Sequence, residues 1–367
     1  MKRIRIIIYL FLISSLSFSC SEIHRGAIKI GALLPLTGSG ALYGQYAKQG
    51  INLAVEQYND SIGKNGKKIE VIYEDSRSNA KDGLSGFNRL TYMKVPIVFT
   101  EFSPVVMICS PAADKTKTIL FNSGAQNPNI RYQGPYIVSN IIDANIEAEN
   151  MAKYLISKNI KKVCTYVINT DTGVATEKTF VETFKKLGGE ILLQERHSQG
   201  ELDYRSTLTK LKKSDPQAVY LVSLVDESAL ILKQAKEINF HTQWVSYASF
   251  QGPEILKIAG SAADGTIYTY PSFNPSSPVA QDFAKEYFSK YSENPEIYAS
   301  TFYDGVTFFI KALKAGNNSS EDILHYFMTH KFYGVTGMTD FNGKTWVDKP
   351  VEFKIVQGGS FRHLEGY

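Results

Sequence analysis

Cysteine is scarce: only Cys20, Cys109 and Cys164 occur in 367 residues. That excludes a small scaffold stapled by disulfides. Cys109 and Cys164 read either as two buried thiols acting as small hydrophobes or as a single pair formed in an oxidising compartment. Histidine is also sparse. The six His residues are scattered, and His325 and His330 are five apart, the wrong spacing for one helix face. No Gly-x-Ser-x-Gly elbow occurs, and no Ser has a His at a plausible spacing, so the hydrolase templates fail. Neither sign of charge dominates, with 40 Lys plus Arg against 36 Asp plus Glu. No face for nucleic acid is implied, and no acidic or basic tail is present. Beyond the first twenty residues there is no long uncharged apolar run, so nothing later reads as a membrane span.

What is present begins at the start of the chain. Lys2, Arg3 and Arg5 form a basic opening, Ile6 to Leu16 is mostly apolar, and Ser17, Phe18, Ser19 and Cys20 follow. This is the pattern of an export signal. The apolar stretch falls short of the ~20 residues that a spanning helix needs. A Cys directly after a small residue points to a bacterial lipoprotein signal, with the Cys20 thiol as the lipid attachment point. Ser17 stands where such signals usually have Leu, so the match is relaxed. Simple secretion and an uncleaved anchor are the other two readings. In each case the mature protein works outside the cytoplasm, as a periplasmic or cell-surface protein, and residues 21–26 serve as a tether.

About 347 residues then remain, more than the ~250–300 that one hydrophobic core supports. Their pattern alternates. Ile28–Leu34, Ile69–Tyr73, Pro96–Phe99 and Ile119–Phe121 read as strands. Between them Tyr43–Asn59, Ala80–Thr91 and Pro104–Lys115 have helical spacing. After Asn140 the rhythm restarts. Helices are expected at Ala144–Ser157, Gly173–Leu187, Tyr204–Lys213 and Glu227–Glu237. Strands are expected at Lys162–Ile168, Glu190–Gln194, Ala218–Ser223 and Gln243–Tyr247. Long helices return over Pro278–Ala315, and Val351–Val356 is a late strand. Two such runs predict an α/β protein of two Rossmann-like lobes, with parallel sheets covered on both faces. The odd tail predicts several crossings between them. The N-lobe is expected at 27–141 plus 273–343, and the C-lobe at 142–272 plus 344–367.

Gly38-Ser39-Gly40-Ala41-Leu42-Tyr43-Gly44 follows a strand and opens a helix. A dinucleotide loop would need its third Gly one residue earlier and an acid ~20 residues on. A plain strand-to-helix turn that aims Tyr43 into a cleft fits better, and no cofactor is expected.

Several stretches, weak singly but strong in order and spacing, carry a resemblance over Ile28 to Val356. They are Ile30 to Gly38, Tyr43-Gly44, Gly50 to Ala54, Glu74-Asp75, Phe121 to Pro128, Ile258-Ala259-Gly260, Ala263-Asp264-Gly265 and Tyr303-Asp304-Gly305. With them the chain resembles the type I periplasmic binding proteins, and within these the branched-chain amino-acid (Leu/Ile/Val) binding group of ABC transporters. The resemblance implies a non-enzymatic solute receptor that closes two lobes on a small ligand and delivers it to a permease and ATPase. A ligand-sensing module with the same clamshell and a separate signalling partner is the alternative, and an exported enzyme is a third.

Carried over position by position, the resemblance puts Ser103 at the start of the third helix, binding the ligand carboxylate. A helix N-terminus suits an anion. With Pro104 as the first helical residue, Ser103 reads equally as an N-cap. Ala125 and Gln126 fall where backbone groups and a hydroxyl hold the ligand, and Tyr43 supplies an aromatic wall. In the second lobe the acid for the ligand ammonium falls at Ala248, beside Ser249 and Phe250, and the aromatic lids fall at Thr172 and Leu224. A buried ammonium without a partner costs several kcal/mol. Either the ligand therefore lacks a free amine or another acid serves, with Asp226, Asp171 and Glu101 as candidates that also read as solvated surface. On this basis a carboxylate or amide, walled by Phe102 and Phe250, is expected ahead of free leucine, isoleucine or valine.

Overall fold

The computed structural model describes residues 26–63, 66–272 and 274–366. The expected signal, Cys20 and the tether as far as Arg25 lie outside the described residues.

The first lobe is built on five parallel strands. They are β1 (Ile28–Leu34), β2 (Ile69–Asp75), β3 (Ile97–Thr100), β4 (Ile119–Asn122) and β5 (Ile137–Ser139), in the order β2-β1-β3-β4-β5. The crossovers are α1 (Ala41–Ser61), α2 (Ala80–Tyr92) and α3 (Ser103–Thr116). The strands are apolar on both faces, as a sheet sandwiched by helices requires. Leu33, Val98 and Leu120 meet Phe87, Leu90 and Val105 on the side of α2 and α3. Ile30, Phe99 and Phe121 face Ala47 and Ile51 of α1 on the other side.

The chain then crosses to the second lobe through α4 (Ala144–Ser157), capped by Asp143, whose carboxylate accepts from Asn145 N–H at 3.0 Å. Next come β6 (Lys162–Ile168), α5 (Asp171–Lys186), β7 (Glu190–His197), α6 (Arg205–Lys213), β8 (Ala218–Val222), α7 (Val225–Glu237), β9 (Gln243–Ser246) and β10 (Ile267–Pro271). After β10 the chain returns to the first lobe for α8 (Pro278–Tyr291), α9 (Ile297–Lys314), α10 (Ser320–Thr329) and a hairpin of β11 (Lys331–Gly334) and β12 (Gly337–Asp340). A third crossing leads to β13 (Val351–Gln357) and β14 (Ser360–His363). β13 adds antiparallel to β10 and β14 antiparallel to β13, completing the order β14-β13-β10-β9-β8-β6-β7.

Helix α9 belongs to the first core, where Phe302, Val306, Phe308 and Phe309 pack with Phe99 and Phe121. Its contact with α1 is backbone-close, since a Cβ on Gly50 would lie 2.1 Å from the Ala299 carbonyl oxygen. Residues 344–349, assigned above to the C-lobe, also pack on the first lobe. Val347 joins the core of α9, and the buried Lys349 ammonium donates to Thr336 Oγ1 at 2.8 Å. The crossing therefore lies between Lys349 and Val351, because a buried Lys has to stay with its partners. Cys109 and Cys164 are free and buried in the cores of different lobes, so the paired-thiol alternative falls away.

Candidate ligand-binding site

Open α/β sheets bind ligands at the carboxyl ends of their strands. Here both sheets aim those ends at a cavity of about 420 Å³ between the lobes. That is a small-molecule volume. The first lobe contributes Glu101, Phe102 and Ser103 after β3 and Gly124 to Asn127 after β4. It also brings Tyr43 from α1 and Tyr298 from α9. The second lobe contributes Thr170, Asp171 and Thr172 at the start of α5, Leu224 before α7, and Tyr247 and Ser249 after β9.

The β3-to-α3 turn is tight. Phe102 occupies the cap position with φ +75°, a region that bulky residues avoid. Ser103 is consequently the first helical residue, not the N-cap, and Pro104 follows it within the first turn. The Val105 and Val106 N–H groups donate to the Phe102 carbonyl. Among the described residues, the Ser103 N–H and hydroxyl have no hydrogen-bond partner. Helices α5 and α7 also begin at the cavity, so three helix N-termini bring positive dipole ends together. Among the described residues no Lys, Arg or His lines the cavity, so an anion would be held by dipoles and hydroxyls.

The loop after β4 is fastened from below. Asn122 Oδ1 accepts from the N–H groups of Ala125 at 2.7 Å and Gly124 at 3.2 Å, and its Nδ2 donates to the Ala125 carbonyl at 2.8 Å. The Ala125 backbone is thus already paired, contrary to its expected use on a carboxylate. Gln126 lines the cavity, but its amide donates to Glu147 Oε1 at 2.6 Å. Glu147 Oε2 in turn accepts from Ala248 N–H and Thr269 Oγ1, each at 2.8 Å. Burial outweighs these hydrogen bonds and pushes the Glu147 carboxyl up to about 7. Glu147 therefore ties the Gln126 loop to the second lobe beneath the cavity.

Tyr43 spans the cleft, and its hydroxyl accepts from Val225 N–H at 3.0 Å. Its ring meets Tyr298 edge-on with centroids 5.0 Å apart. Gln199 donates to Ser39 Oγ on the rim.

Tyr43, Phe102, Ser103, Ala125, Gln126, Thr172, Leu224 and Ser249 are brought together round the cavity. Ala248 and Phe250 are not among its lining. Ala248 is buried behind Ser249, with its N–H on Glu147. Phe250 is no cavity wall, because its ring is sunk in the second core against Tyr268 at 5.3 Å. Of the three alternative acids, Asp171 and Asp226 are exposed, and Asp226 lies outside the cavity lining. Glu101 does not lie on the surface as expected, being only 2% exposed. Tyr247 and Tyr298 were not foreseen. No motif marks either one, since Tyr298 arrives from a helix nearly two hundred residues after β3.

Residues 27–349 match the family described as periplasmic binding protein. This chain belongs to that family. A Leu/Ile/Val-binding protein homolog 1 from Brucella suis is 28% identical over 302 residues, covering 81% of each chain. A leucine-, isoleucine-, valine-, threonine- and alanine-binding protein from Pseudomonas aeruginosa is 25% identical over 339 residues, covering 89% of each. Among solved structures, the branched-chain amino-acid transporter substrate-binding protein LivJ of Streptococcus pneumoniae, in complex with isoleucine, superposes with a TM-score of 0.85. It is 28% identical, and the match covers 92% of this chain and 99% of that one. This periplasmic binding protein is thus of the type I, branched-chain amino-acid group. The family is one of extracytoplasmic solute-binding proteins of ABC transporters. No helix among the described residues is long and apolar enough to cross a membrane.

Proposed function

We propose that this binding protein is the lipid-anchored receptor of an ABC transporter, held by Cys20. It closes its lobes on a small carboxylate-bearing solute and presents it to a membrane permease with its ATPase. Ser103 carries this reading. It offers an unpaired N–H and hydroxyl at the start of α3, facing a cavity that no cation among the described residues lines. Tyr43, Phe102, Thr172, Leu224 and Ser249 complete the contacts. The relatives named above direct the first choice of ligands to branched-chain amino acids. Ala248 spoke against a free amine only if no other acid reached the cavity, and Glu101 reaches it.

The test is titration calorimetry with amino acids and short carboxylates on the wild type and Ser103→Ala. The variant should bind about 1–3 kcal/mol more weakly, the usual loss for a hydrogen bond to a charged group. Equal affinities would remove Ser103 from the site. For the anchor, Cys20→Ser should shift the protein from the membrane fraction to a soluble or unprocessed form. A wild-type protein recovered soluble, with its N-terminus beyond residue 20, would overturn lipidation.

A further inference from the structure

Among the described residues, Glu101 is the one buried carboxyl in the cavity lining. Its Oε1 is fully shielded and has no hydrogen-bond partner among the described residues. An unsatisfied acid is costly to bury, yet the surroundings make room for this one. A Cβ on Gly124 would stand 2.6 Å from the Glu101 Cβ and 2.7 Å from its Oε2, so the carboxyl lies directly over a residue that lacks a side chain. The left-handed backbone at Phe102 sets Glu101 and Ser103 on either side of one residue, both lining the same cavity. The ionisable groups that share the space are Tyr43, Tyr247 and Tyr298, with Asp171 at the start of α5; Glu147 lies below Gln126. None is a cation.

We propose that Glu101 receives a protonated amine on the ligand, so that the cationic recognition expected of the second lobe at Ala248 is supplied instead by the first. This deepens the reading of the cleft as a carboxylate site and rests on it. Ser103 and Glu101 together then read a zwitterion whose two charges are close together. The protons balance simply. In the empty site the carboxyl keeps its proton, since burial pushes it up to about 8. An arriving R–NH3+ leaves R–NH3+ paired with the carboxylate, and the proton of Glu101 passes to solvent.

The probes are the L-amino acids and, for each that binds, the carboxylic acid of the same side chain lacking the amine, such as 4-methylpentanoate for leucine. Calorimetry at pH 7 in phosphate and in Tris separates proton release from binding heat. At least one amino acid should bind the wild type at least tenfold more tightly than its desamino acid, releasing about one proton. Glu101→Gln should abolish that preference and the proton release. The melting temperature of the variant shows that it folds, and Glu101→Asp should keep part of the preference. Equal binding of the matched pairs, or a Glu101→Gln protein that retains the preference, overturns the assignment but leaves the carboxylate site standing. Binding of neither series overturns both.

Discussion

At Phe102 a bulky residue holds φ +75° between a buried acid and an unpaired serine. Such backbone costs on the order of 1–3 kcal/mol and persists where its surroundings enforce it. Here the ring packs over Gly40, where a Cβ would lie 2.9 Å from it. The neighbouring acid has a consequence for stability without ligand. The Glu101 carboxyl is raised from an ordinary value of 4.5 to about 8. Below the lower value it is protonated in both states and costs nothing through ionisation. Between the two, the unfolded chain releases a proton that the folded chain retains, so stability falls as pH rises, by up to ~1.4 kcal/mol per unit. Glu101→Gln lacks this penalty. The melting temperature of the variant relative to the wild type should climb steadily from pH 5 to pH 8 in the absence of ligand. A constant difference would show that Glu101 ionises freely.

Among the elements, the pairing of α1 with α9 leaves no room for added bulk at Gly50. Gly50 lets the helices meet at backbone distance, and its missing side chain would be 2.1 Å from a carbonyl oxygen that no rotamer change can move. Gly50→Ala gains roughly 1 kcal/mol of helix propensity. Overpacking against fixed backbone costs about 1–3 kcal/mol or more. The variant should therefore unfold at lower urea, and an unchanged midpoint would mean that α9 can slide. This pair also marks how far the sequence could be read. β1, β6, β8 and α4 stand in it plainly, because strands buried on both faces read as apolar runs and the helices carry strong periodicity. β5 is only three residues long, and β10 to β12 hide among Gly, Thr and Tyr. The site was readable where one local turn carries it, as at Ser103. It was not readable at Tyr298, Tyr247 or Phe250, whose surroundings are set by distant segments. Glu101 was misjudged because carboxylates are rarely buried. Nothing local signalled that Gly124, twenty-three positions later, would leave space for this one.

For the whole molecule, the buried Tyr43 hydroxyl joins the lobes directly across the cavity. Removing it deletes one hydrogen bond and leaves the Val225 N–H unpaired at the start of α7, a loss of about 1–3 kcal/mol confined to the closed form. Tyr43→Phe should weaken ligand binding about tenfold, or ~1.4 kcal/mol. Small-angle scattering should show a larger radius of gyration at partial saturation. Unaltered affinity and scattering would mean that closure does not depend on this contact.

The threefold crossing of the chain also orders its own assembly in time. Both lobes are interrupted in sequence, and the first cannot cover its sheet until Phe302, Val306, Phe308 and Phe309 have been synthesised. The second waits still longer, for β13. A ribosome working from the N-terminus therefore releases most of this polypeptide before either half can finish folding. Such a chain stays incompletely folded for most of its synthesis.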